Sequence, residues 1–161
     1  MSPTQFYKIL IDHFPFQPTA NQDIFFQKMA AFLLHSNDDL FVLKGYAGTG
    51  KTTVISTLVN QLQTANKKSV MLAPTGRAAK VMSAYSEKPA FTIHKRIYFP
   101  KKNKNGGVGF VMQANKFKDT IFIVDEASMI SDQSNVTSLY ENGSLLDDLL
   151  FYVDAGQNCK L

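Results

Sequence analysis

At 161 residues the chain has the length of one domain, and a domain of that size buries about 70% of the surface its unfolded chain exposes. An apolar share of 45% beside 19% charged residues excludes an intrinsically disordered chain. One cysteine, Cys159, excludes an internal disulfide scaffold, and no apolar run reaches the roughly 18 residues of a membrane span. The first residues, MSPTQFYKIL, lack the basic start and apolar stretch of a secretory signal. The expectation is a soluble cytoplasmic domain with no membrane partner.

Seventeen Lys and Arg against 13 Asp and Glu give a net charge of +4, which permits a polyanionic partner without requiring one. Distribution says more than the total. Lys95, Arg96, Lys101, Lys102, Lys104, Lys116 and Lys118 crowd one stretch and outline a basic face. The acids Asp125, Glu126, Asp132, Glu141, Asp147 and Asp148 come after it.

In chain order, Phe6, Ile9, Leu10 and His13 recur at helical spacing and predict a short amphipathic helix over 4–13. Pro15 and Pro18 end it. Thr19 reads as the N-cap of a second, strongly apolar helix over 20–35, and Asn37-Asp38-Asp39 as a turn. Leu40-Phe41-Val42-Leu43 is a continuous apolar run, the pattern of a strand buried on both faces. A glycine-rich turn and a helical pattern over 51–65 follow. Residues 69–73 repeat the buried-strand signal, and 76–85 read as a helix. The stretch 99–116 is rich in Lys, Asn and Gly and reads as a loop or irregular hairpin. Residues 120–124 are a third buried strand, and 144–153 a last helix. The order predicts an α/β fold with a mostly parallel sheet in a three-layer α/β/α arrangement.

The strongest chemical signal is Gly45-Tyr46-Ala47-Gly48-Thr49-Gly50-Lys51-Thr52, a match to the Walker A pattern G-x-x-x-x-G-K-[ST]. Glycines let the backbone turn tightly, so that successive amide N–H groups point at a phosphate. The following helix adds its N-terminal donors and positive dipole end. Lys51 would reach the β- and γ-phosphates, and the Thr52 hydroxyl would hold Mg²⁺. The motif lies between a predicted strand and a predicted helix, the context that such a loop needs.

The second signal is Ile121-Phe122-Ile123-Val124-Asp125-Glu126, the Walker B pattern of an apolar strand ending in two carboxylates. Ligands in open α/β sheets collect at that strand edge. Asp125 would hold Mg²⁺, which favours a few carboxylates together with waters and phosphates. Glu126 would orient and polarise the attacking water. Taken alone, the segment reads equally as a strand ending in solvated acids. Beside a phosphate loop it points to hydrolysis of a nucleoside triphosphate. A small-molecule kinase shares the loop but does not need the Asp-Glu pair in this form.

With these motifs the chain resembles the first motor domain of superfamily 1 DNA helicases of the RecD-like and Dda-like branch. GYAGTGKTT is typical of that branch, and Ala73-Pro74-Thr75-Gly76-Arg77-Ala78-Ala79-Lys80 resembles its motif Ia, which touches the single-strand backbone. Thr92-Ile93-His94-Lys95 resembles the short element after it, and Asp125-Glu126-Ala127-Ser128-Met129-Ile130 resembles motif II. Pro18-Thr19-Ala20-Asn21-Gln22 looks like the Q motif, whose glutamine reads the adenine edge.

The resemblance implies a RecA-like P-loop NTPase domain acting in ATP-dependent, 5′ to 3′ movement on single-stranded DNA. It implies ATP and Mg²⁺ as ligands, with N-terminal helices and the Q-like motif over 1–36 and a partial RecA-like domain over 37–161. Residue by residue, Gln22, Ala47, Gly48, Thr49, Gly50, Lys51, Thr52 and Thr53 would bind ATP. Thr52 and Asp125 would hold Mg²⁺, Lys51 and Glu126 would act in catalysis, and Thr75, Arg77, Thr92 and His94 would touch DNA. His94 reads equally as a structural hydrogen-bonder, and the lysines from 95 to 118 more readily as solvated loop charges than as a DNA track. Phe14 and Phe16 could stack on the base, though packing on the second helix suits both.

The resemblance also implies that the chain stops at Asn158-Cys159-Lys160-Leu161, at the start of the strand that precedes motif III. That strand would lie between the phosphate-loop strand and the Asp-Glu strand. The expectation is then a sheet with unpaired edges, open to a shifted strand or to self-association, and a chain that hydrolyses ATP slowly on its own. The other reading is a catalytically inert nucleotide- or nucleic-acid-binding P-loop module.

Overall fold

The computed structural model describes residues 1–102, 108–130 and 144–161. It opens with α1, Pro3–Asp12, and α2, Ala20–Leu34. Both start with a reciprocal capping box, Ser2 with Gln5 and Thr19 with Gln22, which satisfies two of the free N–H groups at each helix start. Helix α3, Lys51–Gln61, runs on into a 3-10 turn, Leu62–Ala65, and leads to β1, Lys68–Ala73. Helix α4, Gly76–Ser86, returns the chain to β2, Ala90–Thr92, and to a short α5, Ile93–Ile97. Strands β3, Tyr98–Lys102, and β4, Val108–Met112, pair antiparallel as a hairpin. Strand β5, Thr120–Val124, a 3-10 turn, Ala127–Met129, and α6, Leu145–Asp154, follow among the described residues.

The main sheet is parallel, in the order β2-β1-β5, with Met71 opposite both Ala90 and Ile123. Helices cover both faces, because successive strand residues point to opposite sides. On one face Phe6, Leu10, Phe26, Leu58 and Leu62 from α1, α2, α3 and the 3-10 turn pack together with Ile121. On the other, Val70, Leu72 and Phe122 meet Ile93, Ile97, Leu149, Tyr152 and Val153 from α5 and α6. A third cluster, Val59, Met71 and Met82, joins α3 and α4 to β1. The fold is therefore α/β with a parallel sheet, as the element order predicts.

Two elements were not legible in the sequence, and one was read differently. Strand β2 and helix α5 are too short to carry a periodic signal. The run 40–43 is not a strand buried on both faces: Leu40 is 50% and Val42 62% exposed, while Phe41 and Leu43 are half-buried. Among the described residues this segment is paired at one rung, through Phe41 N–H to Leu161 O and Leu161 N–H to Asp39 O. Residues 157–161 run parallel to β5 on their other side, where Phe122 N–H donates to Lys160 O and Lys160 N–H to Thr120 O. They thus lie between residues 39–41 and β5, where the resemblance puts the next strand. Lys160 anchors them, its ammonium donating to Ser36 O and Asp38 O at 2.7 Å each and lying 4.6 Å above the Phe32 ring.

Candidate functional site

The loop of residues 45–50 owes its shape to two glycines. Gly48 has φ of +77° and Gly50 +81°, left-handed values that glycine adopts without the steric penalty of a Cβ. Gly50 is also the N-cap of α3, so Lys51 and Thr52 open that helix and its free N–H groups face the loop. A Cβ on Gly50 would come within 2.6 Å of the Gln22 side-chain nitrogen, whereas one on Gly48 would meet nothing within 4 Å. The Lys51 ammonium donates to Gly45 O and Tyr46 O, both at 2.6 Å, which holds it over the loop with a third N–H to spare.

Gln22 joins the loop to α2. Its Oε1 accepts the Thr19 N–H at 3.0 Å, and its Nε2 donates to Thr49 O at 3.1 Å. One N–H and one oxygen lone pair of the amide remain. Phe14 is buried, edge-on to Phe26 at 5.2 Å between ring centres, while Phe16 is 69% exposed. Of the two aromatics weighed for base stacking, only Phe16 is open to a ligand.

Asp125 lies at the end of β5, its N–H donating to Leu72 O at 3.1 Å. Both of its carboxylate oxygens are engaged: Oδ1 accepts the Glu126 N–H at 2.9 Å and Oδ2 accepts the Tyr85 hydroxyl at 2.9 Å. Glu126 is exposed and has φ of +55°, a left-handed turn that leads its backbone away from the strand. Burial, then the hydrogen bond to Asp125, push the Tyr85 phenol well above its ordinary value of 10.0, so it is a donor across the physiological range.

Tyr85 is the residue the sequence reading missed. It ends the helical pattern of α4 with no local signal, because its partner is 40 residues away. Its carbonyl accepts the Ser56 hydroxyl of α3 at 3.0 Å. Its ring, with Thr52, Thr53 and Ser56 of α3 and His13 and Pro15, lines a cavity of about 380 Å³. Tyr85 therefore contacts α3 through Ser56 and β5 through the Asp125 carboxylate, while Asp125 itself does not line this cavity. Among the described residues no group of three or more His, Cys, Asp or Glu side chains could enclose a metal. A Mg²⁺ ion fits this donor set only in its usual manner, with one carboxylate, a hydroxyl, and oxygens from phosphate and water.

The remaining sequence candidates lie at the same end of the sheet. Thr75 caps α4, its hydroxyl accepting the Ala78 N–H at 3.2 Å, and Arg77 is exposed in the first turn. Thr92 caps α5 and accepts the Lys95 N–H at 3.2 Å. The His94 ring lies 5.9 Å from that of Tyr98, and although the residue is largely exposed, partial desolvation of the ring lowers its pKa from 6.5. Both caps follow the C-terminal ends of adjacent parallel strands, β1 and β2. Of the basic stretch, Lys104 lies outside the described residues.

Residues 26–147 match the AAA domain family. RecBCD enzyme subunit RecD of Buchnera aphidicola subsp. Acyrthosiphon pisum (strain APS) is 28% identical over 95% of this chain and 31% of its own length. RecD of Buchnera aphidicola subsp. Schizaphis graminum (strain Sg) is 31% identical over 65% of this chain and 20% of its own length. The multifunctional conjugation protein TraI of Escherichia coli is 30% identical over 62% of this chain and 6% of its own length. The chain thus spans less than a third of the length of these curated relatives. The similarity to RecD bears out the resemblance to the RecD-like branch of superfamily 1. The family match takes in the phosphate loop, α4, the parallel strands and Asp125, and the chain belongs to the AAA domain family.

Proposed function

We propose that this chain is the ATP-binding part of an ATP-dependent DNA helicase that moves 5′ to 3′ on single strands. The observation that carries this reading is the loop with Gly48 and Gly50 in left-handed conformation ahead of α3, together with Asp125 tied by Tyr85 to the cavity beside that helix. The similarity to RecD and TraI supports it. In this reading the loop amides from Ala47 to Gly50, with Thr53 beside them, cradle the phosphates of ATP, and Lys51 neutralises charge on the γ-phosphate. The free N–H and lone pair of Gln22 match an adenine edge. Thr52 and Asp125 hold Mg²⁺, which supplies charge neutralisation on the phosphates, and Glu126 orients water. Thr75 and Arg77 grip the strand's phosphates, with Thr92 and His94 one element further on.

Hydrolysis by this chain alone is slow in this account. The sequence holds two arginines, Arg77 and Arg96, and neither lines the cavity beside Thr52. An arginine on the γ-phosphate is worth about 10³ to 10⁵ in rate where it is supplied. The test is coupling between the two ligands. Oligo-dT is expected to tighten ATP–Mg²⁺ binding, as linkage requires of sites that share one mechanism. ATP binding indifferent to oligo-dT but altered by a small-molecule phosphoryl acceptor would overturn the helicase reading in favour of a kinase. We further propose that the exposed edge at Leu40 and Val42 lets two copies associate, since exposed apolar edge segments with unpaired backbone recruit other strands.

A further inference from the structure

A second cavity, of about 400 Å³, shares no lining residue with the phosphate loop and is lined by Arg96, Phe99, Gln113, Lys116, Phe117 and Tyr152 among others. Arg96 lays its guanidinium on Phe91, 4.1 Å from the ring centre, with Phe117 at 5.7 Å. Its Nε is buried without a hydrogen-bond partner, and no carboxylate of the described residues pairs with it. Stacking on an aromatic face offsets part of the cost of desolvating a cation, but it supplies no counter-charge. Tyr152 is only 3% exposed, and none of the described residues bonds its hydroxyl. Gln113 is fixed by donating to Tyr98 O at 2.7 Å, and its amide keeps a second N–H. Lys116, exposed at the rim, adds another cation. No carboxylate lines this space.

The cavity therefore gathers donors and positive charge with nothing to receive them. We propose that it binds a phosphate group of single-stranded nucleic acid, held by Arg96 and Lys116, with the neighbouring base against Phe99. The guanidinium fork matches phosphate oxygens, and the Tyr152 hydroxyl and Gln113 amide supply further donors. Phe99 is 42% exposed, an open ring face of the kind on which bases stack without regard to sequence. Arg96 sits one helical turn beyond the Thr92 cap on α5, so that cap and this cavity share one short helix. The proposal rests on the single-strand reading above for the source of its phosphate.

The test is fluorescence anisotropy of labelled oligo-dT across a salt series, with the wild-type chain and the variants Arg96→Met, Lys116→Met and Arg77→Met. Methionine keeps an apolar stem over Phe91, and Lys116 is exposed, so the second variant reports even if the first unfolds. Arg96→Met should weaken binding about tenfold and reduce the salt slope by about one, and Lys116→Met should reduce the slope by a similar amount. Unchanged affinity in both, with loss in Arg77→Met, would overturn this inference and leave the single-strand reading standing. If no variant and no salt condition gives oligo-dT binding, the strand reading fails, and inorganic phosphate becomes the probe. In a Lys51→Ala background, a rise in melting temperature with phosphate that Arg96→Met abolishes would support a phosphate site filled from free anion. No such rise would overturn the site altogether.

Discussion

Gly48 and Gly50 share a left-handed conformation but not a neighbourhood, and that difference makes them separable by experiment. Gly48→Ala meets open space and should cost about 1 kcal/mol for conformation alone. Gly50→Ala puts its Cβ 2.6 Å from the Gln22 amide nitrogen. Because that flexible side chain can swing aside, the added cost is the lost Gln22–Thr49 hydrogen bond, which also releases the loop from α2. Urea midpoints at unchanged slope would read the difference, and equal shifts would contradict it. Tyr85→Phe removes one hydrogen bond to Asp125 with no change in shape. It should weaken the Mg²⁺ dependence of nucleotide binding severalfold or more, the usual effect of removing a group that orients a metal-holding carboxylate, and leave metal-free binding unchanged. An equal loss without metal would mean that Tyr85 serves the cavity's shape. The phenol's raised pKa also fixes a sign. Its stabilising contribution is fully present below pH 10 and is lost as pH rises through the folded-state value, so Tyr85→Phe should flatten the alkaline arm of the stability profile. The glycines were legible because a loop motif is local. Tyr85 was not, because its meaning lies in a partner across the sheet.

Among the elements, strong periodicity or complete burial made a segment readable. Helix α2 declared itself through Thr19 and a run of apolar residues, six of which, including Ala30, are buried. Strands β1 and β5 did so through unbroken apolar runs covered on both faces. The run 40–43 carries the same composition and ends half exposed, because burial of a strand depends on neighbours that composition does not reveal. The lysines and glycines of hairpin β3-β4 read as a loop or irregular hairpin and mask the pairing of Phe99 with Val111. The exposed segment has a consequence that can be measured. Sedimentation should show association that rises with concentration, and Leu40→Lys should suppress it by placing a charge on the edge. A wild-type chain that stays monomeric at every concentration would contradict that account.

At the scale of the whole molecule, three clusters of buried side chains among the described residues tie both helix layers to one parallel sheet. The α/β class and the position of the phosphate loop were legible from element order, since strand-loop-helix succession allows few arrangements. The tie from α4 to Asp125 and the cavity at Arg96 were not, since each depends on how distant segments meet. Isothermal calorimetry of ATP–Mg²⁺ with the wild-type chain and Lys51→Ala decides whether this fold presents a working nucleotide site. The account predicts saturable binding to the wild type that the substitution abolishes, with both proteins melting cooperatively. Equal binding to both, or none to a cooperatively folded wild type, would contradict it.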